Sequence, residues 1–194
     1  MPTRPTLYFD QPGQDNTEDV VWAVRERAEE LGIAHVLVAS STGRAARALL
    51  KALEGSECRL VVVTHHAGYT GADELQIAPD VRAELAGKGV TIVTGTHSLS
   101  GVGRSFTSRY GGVTLPDVIA HTLRRFGDGV KVAVEIAIMA ADAGAIPTDC
   151  EVIAAGGSAR GLDSALVLRA AHMNTFFDLE VREIVAMRRQ GPAE

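Results

Sequence analysis

The chain has 194 residues, 46% of them hydrophobic and 22% charged, which is enough to build one domain around a substantial core. Its formal net charge of -5 argues against nucleic acid as a partner, because a phosphate backbone demands a basic surface and no Lys/Arg run supplies one. Cys58 and Cys150 are too few and too far apart for a disulfide framework or a cysteine zinc site, and no apolar run reads as a signal peptide or membrane span, so a cytoplasmic setting away from membranes is expected.

Residues 6–9 read as a short edge strand and 11–17 as a turn, where Asn16 or Thr17 can cap a helix. Val20, Val21, Val24, Ala28 and Leu31 share one face of that helix, opposite Arg25, Arg27, Glu29 and Glu30, and Gly32 ends it. Residues 35–39 are an apolar, β-branched run of buried-strand type. Ala46, Leu49, Leu50 and Leu53 mark the helix behind it, which closes near Glu54 and Gly55. Residues 59–64 form another buried strand, opening into a polar loop over 65–71. A short helix over 79–86 turns Val81 and Leu85 inward. Residues 90–94 are a further strand, followed by a polar loop from Gly95 to Ser105.

Thr114, Leu115, Pro116 and Asp117 make a capped helix start, with Val118, Ile119, Leu123 and Phe126 as its buried face and Gly127 as its stop. Residues 129–144 alternate at first as a strand would. The run is too long and too rich in alanine for one, and reads as a helix buried nearly all round. Residues 151–155, 164–169 and 181–187 complete the strands, the second close enough behind the first to run antiparallel to it. Strands alternating with helices imply a single α/β domain over residues 1–194 with a mostly parallel sheet covered on both faces. Ligands of such sheets bind outside the carboxyl ends of the strands, where this chain places four polar, glycine-rich loops: 40–44, 64–70, 94–104 and 156–161.

Among these loops, Ser40, Ser41, Thr42, Gly43 and Arg44 join a strand to a helix. A helix N-terminus offers unsatisfied N–H groups and partial positive charge, Gly43 lets backbone approach an anion, and Arg44 adds a charge-assisted bond. The same residues serve equally well if Ser41 or Thr42 simply caps the helix. His65, His66, His97 and His172 match no zinc spacing, and no metal is expected. Glu135 stands alone in an apolar helix, either as a carboxylate bonded to backbone or an arginine, or as a general acid–base group with a raised pKa. Gly101-Val102-Gly103 is not a full dinucleotide fingerprint, and no Walker A lysine follows Gly43, so nucleoside-triphosphate hydrolysis has no support.

Ser40-Ser41-Thr42-Gly43-Arg44-Ala45-Ala46 resembles the phosphate-holding turn of the pyruvate kinase C-terminal domain, roughly T-x-S-G-R-[ST]-A. Further stretches resemble the stand-alone proteins built on that domain: Pro12-Gly13 with Asn16-Thr17-Glu18, His97-Ser98-Leu99-Ser100-Gly101, Val134-Glu135-Ile136 with residues 139–147, and Ala171-His172-Met173-Asn174 with Phe176-Phe177-Asp178. The resemblance implies a three-layer α/β/α sandwich with a mostly parallel sheet and an antiparallel edge. In pyruvate kinases the matching turn holds a regulatory sugar phosphate, and stand-alone relatives are associated with flavin mononucleotide (FMN). Ala45 replaces a hydroxyl residue of the kinase turn, which weakens the case for a sugar bisphosphate. The catalytic barrel of pyruvate kinase has no counterpart in these residues, so the resemblance does not imply phosphoryl transfer from phosphoenolpyruvate.

The expectation is therefore a protein that binds a phosphorylated small molecule, most plausibly FMN. Ser40, Ser41, Thr42, Gly43 and Arg44 would hold the phosphate, and His65, His66, Thr96, His97, Ser98 and Ser100 would line the rest. One alternative is an enzyme, either a flavin-dependent oxidoreductase or a small hydrolase or isomerase using His97 and Glu135. Another is a regulatory or assembly module without catalysis. Homo-oligomers are common for this architecture, though no number is fixed.

Overall fold

The structure, a computed structural model, describes residues 3–158 and 160–189; Ala159 of the 156–161 loop lies outside the described residues. One seven-stranded sheet has the order β1-β7-β6-β5-β2-β3-β4, from β1 (Leu7–Phe9), β2 (His35–Ala39), β3 (Arg59–His65), β4 (Thr91–Gly95), β5 (Glu151–Gly156), β6 (Ser164–Arg169) and β7 (Glu180–Arg188). The helices are α1 (Thr17–Leu31), α2 (Arg44–Ala52), α3 (Pro79–Gly87), α4 (Gly101–Tyr110), α5 (Leu115–Leu123) and α6 (Asp128–Asp142). The expected mostly parallel α/β sandwich is present. Its antiparallel part is β6, which runs against both β5 and β7 and so lies inside the sheet, while both marginal strands pair in parallel.

Side chains alternate across the strands, so each strand feeds two cores. Val36, Val38, Leu60, Val62 and Ile153 face the layer of α1, α2 and α3, where Val24 and Leu49 are fully buried. Leu37, Val61, Val63, Ala154 and Leu166 face α6. The alternating Val130–Ile138 run forms a helix, as expected, because sheet, loops and α5 cover α6 so completely that no single stripe of apolar residues is needed.

Three local expectations are corrected. Neither Asn16 nor Thr17 caps α1 with its side chain. Asn16 Nδ2 donates to the Gln11 carbonyl, and Thr17 Oγ1 accepts from the Leu162 amide, which ties the start of α1 to the 156–161 loop. The 95–105 segment is not loop throughout, since α4 begins at Gly101; its apolar stripe faces solvent and left no core periodicity to read. The expected buried face of α5 is largely open. Ala120 is its one buried residue, while Val118 is 52% and Phe126 49% exposed. The capping box of α5 does form, with Thr114 N and Oγ1 both donating to Asp117 Oδ2.

Gly43 is required by backbone and by packing. Its φ is 82°, and a Cβ there would sit 2.4 Å from Val81 Cγ1 on α3. Gly43→Ala is expected to cost roughly 1–2 kcal/mol from the left-handed backbone alone, with the clash adding to it. A lower urea midpoint at unchanged slope checks this; an unchanged midpoint would mean that the turn adapts.

Candidate functional site

The topology creates the site. From β2 the chain steps outward to β3 and β4, then returns through α4, α5 and α6 to place β5 on the other side of β2. The carboxyl ends of β2 and β5 are therefore left by connections that diverge, and a crevice opens between them. A cleft of about 490 Å³ occupies this place, within the size range of small-molecule sites. Ser40, Ser41, Thr42, Arg44 and Ala45 form one wall, Gly157, Arg160 and Gly161 another, and Ala39, Val63, Val132 and Ile136 an apolar floor, with His65 at the rim.

Ser40 directly follows β2, its amide donating to the Val63 carbonyl at 3.0 Å, and Thr64 is the next-to-last residue of β3; they are 6% and 2% exposed. Ser40 Oγ accepts a long bond of 3.4 Å from the Ala46 amide, and so caps α2 from outside the helix. Neither Ser41 nor Thr42 caps it; the N-cap position is Gly43, with no side-chain bond. The first amides of α2 thus face the cleft without intrahelical acceptors. Thr64 Oγ1 is buried and finds no hydrogen-bond partner among the described residues. An orphaned hydroxyl in a sealed position is costly unless a ligand or water meets it. Arg44 is exposed and, among the described residues, bonds Gln14 Oε1 at 2.5 Å and no carboxylate, and it shares the cleft lining with Arg160.

The remaining expected residues fall elsewhere. Thr96, His97, Ser98 and Ser100 line a second cavity of about 510 Å³, together with Met139, Asp142 and the first turn of α4. Gly43 is buried against Val81 and does not line the cleft. The two cavities meet at a cluster of rings: His65 and His97 lie 4.9 Å apart, and Tyr69 stacks on His97 at 5.2 Å. His66 joins this cluster edge-on instead of lining either cavity. His65 Nδ1 donates to Gln76 Oε1, and burial, followed by the nearby His97, lowers its pKa, so it is neutral at pH 7. The sequence reading placed Thr64 and Tyr69 in the 64–70 loop without giving either a ligand role, offered Arg160 of the 156–161 loop as a possible anion contact, and missed Val132 and Ile136 as cleft residues. Among the described residues no group of three or more His, Cys, Asp or Glu has metal-holding geometry.

His97 and Glu135, paired above only as chemistry, touch. His97 Nδ1 donates to Glu135 Oε2 at 3.2 Å, Lys131 Nζ to the same oxygen at 2.6 Å, and the Leu99 amide to Oε1 at 3.0 Å. Glu135 is thus braced between backbone and a lysine, where backbone or an arginine was the expected partner. Burial pushes the Glu135 carboxyl up. The bond from His97, with the charge and bond of Lys131, overrides it and brings the pKa down to about 2. The shift runs opposite to the raised pKa that a general acid needs. With Nδ1–H directed to the carboxylate, the other ring nitrogen of His97, Nε2, is buried and has no partner among the described residues.

A pKa lowered in the fold stabilises fully above the ordinary value of 4.5, and the stabilisation is lost as pH falls toward 2. Glu135→Gln is expected to destabilise by about 3 kcal/mol at neutral pH. The gap between wild type and variant should close from pH 4.5 downward in urea titrations. A gap constant with pH would mean that the carboxylate is not ionised as assigned.

No helix among the described residues is long and apolar enough to cross a membrane, and Cys58 and Cys150 are both free. The family described as "Pyruvate kinase, alpha/beta domain" matches residues 18–168. Among solved structures, a pyruvate kinase from Cryptosporidium parvum aligns at 15% identity and a TM-score of 0.41, over 80% of this chain and 23% of that one. This chain thus spans under a quarter of that enzyme's length. The matched region runs from the start of α1 to the end of β6 and contains the β2–α2 turn, Glu135 and both cavities' strand ends. The chain belongs to the pyruvate kinase alpha/beta domain family.

Proposed function

We propose that the chain binds a phosphorylated small molecule in the β2–β3–β5 cleft, with its phosphate at the N-terminus of α2. The observation that carries this reading is the Thr64 hydroxyl, unpartnered among the described residues, on a cleft lining that also holds Ser40, the first residues of α2, Arg44 and Arg160. A phosphate oxygen satisfies the hydroxyl, the amides and the helix dipole at once, and arginine adds charge-assisted bonds. FMN is the ligand this reading favours. Its phosphate suits the turn, and Ala39, Val63, Val132 and Ile136 supply apolar wall for a flavin ring, with the neutral His65 beside them. When bound, a flavin supplies electron-transfer chemistry; this chain's residues hold the phosphate and exclude water from the ring.

The His97–Glu135 contact favours a second reading, in which the family fold carries a proton-transfer enzyme with His97 Nε2 as base and Glu135 as its positioning residue. Activity lost in His97→Gln with FMN affinity unchanged would select it.

The purified protein is expected to show visible flavin absorbance, or to take up FMN when it is added. At a hundredfold excess over Kd the ligand adds about 2.7 kcal/mol, roughly 5–10 °C in Tm for a chain of this size. Arg44→Glu with Arg160→Glu changes only exposed side chains and should abolish the shift while leaving the unliganded Tm intact. If the protein is colourless and its Tm is unmoved by FMN and by inorganic phosphate, the assignment fails.

A further inference from the structure

An exposed apolar strip runs along α4 and α5 and borders the second cavity only at Val102. Val102, Phe106 and Tyr110 follow one another at i, i+4 and i+8 along α4 and are 86%, 53% and 69% exposed. Val113, Leu115 and Val118 extend the strip onto α5 at 74%, 69% and 52%. A connected strip of this kind marks an interaction surface, whereas single exposed apolar residues mark nothing. Residues 101–126 also carry four arginines against one aspartate, in a chain whose net charge is -5. Arg124 is neutralised by Asp128, but Arg109 and Arg125 are exposed and meet no carboxylate among the described residues. Two copies of this face laid on one another would set like charges together, which costs several kcal/mol.

A surface of opposite character lies at the far margin of the sheet. The groove between β1 and α1, about 590 Å³, presents Trp22 and Tyr8 at 57% and 61% exposure, with Asp19 and Glu26 in its lining. Glu30 is taken by Arg4 and Arg27, whereas Asp19 and Glu26 meet no cation among the described residues. Residues 10–30 hold seven acids against two arginines. Strands β1 and β4 are the two margins of the sheet, and α4 follows β4, so the basic strip and the acidic groove belong to opposite flanks.

We propose that the chain self-associates head to tail, with the α4–α5 strip of one copy seated in the β1–α1 groove of the next. The strip's apolar residues cover Trp22 and Tyr8, and Arg109 and Arg125 meet Asp19 and Glu26. Complementary apolar and charged surfaces on one molecule select a second copy of this chain as occupant. A contact between two different patches is heterologous, so it repeats into a ring or an open chain of copies.

Sedimentation or light scattering should find wild type larger than a monomer, with association weakened at least ~tenfold at about 1 M salt, where the screening length is ~3 Å. Val102→Glu with Phe106→Glu disables the strip, and Asp19→Lys with Glu26→Lys disables the groove. Each double variant alone should be monomeric. Mixed in equal amounts they should form a dimer and nothing larger, because one intact strip still meets one intact groove; that dimer also proves both variants folded. Wild type that stays monomeric, a groove variant that keeps the wild-type size, or a mixture that stays monomeric would each overturn the proposal. So would wild-type chain that stays monomeric yet binds phosphatidylserine vesicles through the strip, since its occupant would then be a lipid surface.

Discussion

One buried carboxylate holds the carboxyl edge of the sheet together. Glu135 sits at the middle of α6, the helix that covers the central strands, and accepts hydrogen bonds from a loop amide, an imidazole and an ammonium. Each bond does something different. The Leu99 amide pins the β4–α4 loop to the helix, His97 Nδ1 fixes the tautomer of the ring, and Lys131 supplies the charge that makes burial tolerable. Ser98 Oγ adds a fourth tie, donating to the carbonyl of the same residue at 3.2 Å. Removing one partner of such a group leaves an uncompensated charge behind, which is why buried pairs are hard to break even where they add little net stability. The second cavity is bounded by the loop that this carboxylate holds in place.

The first cleft depends on a different constraint, the order in which the strands are visited. Because β2 lies between β3 and β5, the last residues of three parallel strands end side by side, and their loops diverge, to α2, to α3 and to the antiparallel strand β6. Ser40 then falls opposite Thr64, continuing the register of β2 and β3, and bonds the first turn of α2. In a chain with a net charge of -5, this is where positive potential gathers: a helix N-terminus, Arg44 and Arg160, with no carboxylate among the cleft-lining residues.

Much of this was legible in the residues. Continuous apolar runs gave β2 and β3, since strands buried on both faces need no alternation. The alanine content of 129–144 outweighed its period-two start. The turn after β2 and the pairing of His97 with Glu135 both emerged from residue chemistry. What stayed hidden depended on long-range placement. Thr64 ends an apolar strand and looks like any β-branched residue until the fold leaves its hydroxyl without a partner. Gly43 read as a ligand-approach glycine because sequence cannot show Val81 packed against it. The polar loops appeared to converge on one site, yet the ring cluster of His65, Tyr69 and His97 divides them into two cavities. The largest misreading concerned α4 and α5, where an apolar periodicity was either unseen or assigned inward. Periodicity reports that a helix has an apolar face and says nothing about what covers it.

That last point connects the surface to the site. Val102 belongs to the exposed strip of α4 and also to the lining of the second cavity, together with Gly101 and Gly103 in the first turn of the same helix. Gly103 has no room for a side chain, since a Cβ there would sit 2.8 Å from Thr114 Oγ1, so α4 is locked against the capping box of α5 and cannot slide independently. A molecule seated on the strip therefore presses on a rigid two-helix unit whose inner end is the cavity wall. Where its occupancy alters the cavity, ligand and neighbour change each other's affinity by the same factor and in the same direction, because a coupling free energy between two binding events is reciprocal. The path for that coupling is short: from Val102 through the 97–100 loop to the carboxylate of Glu135.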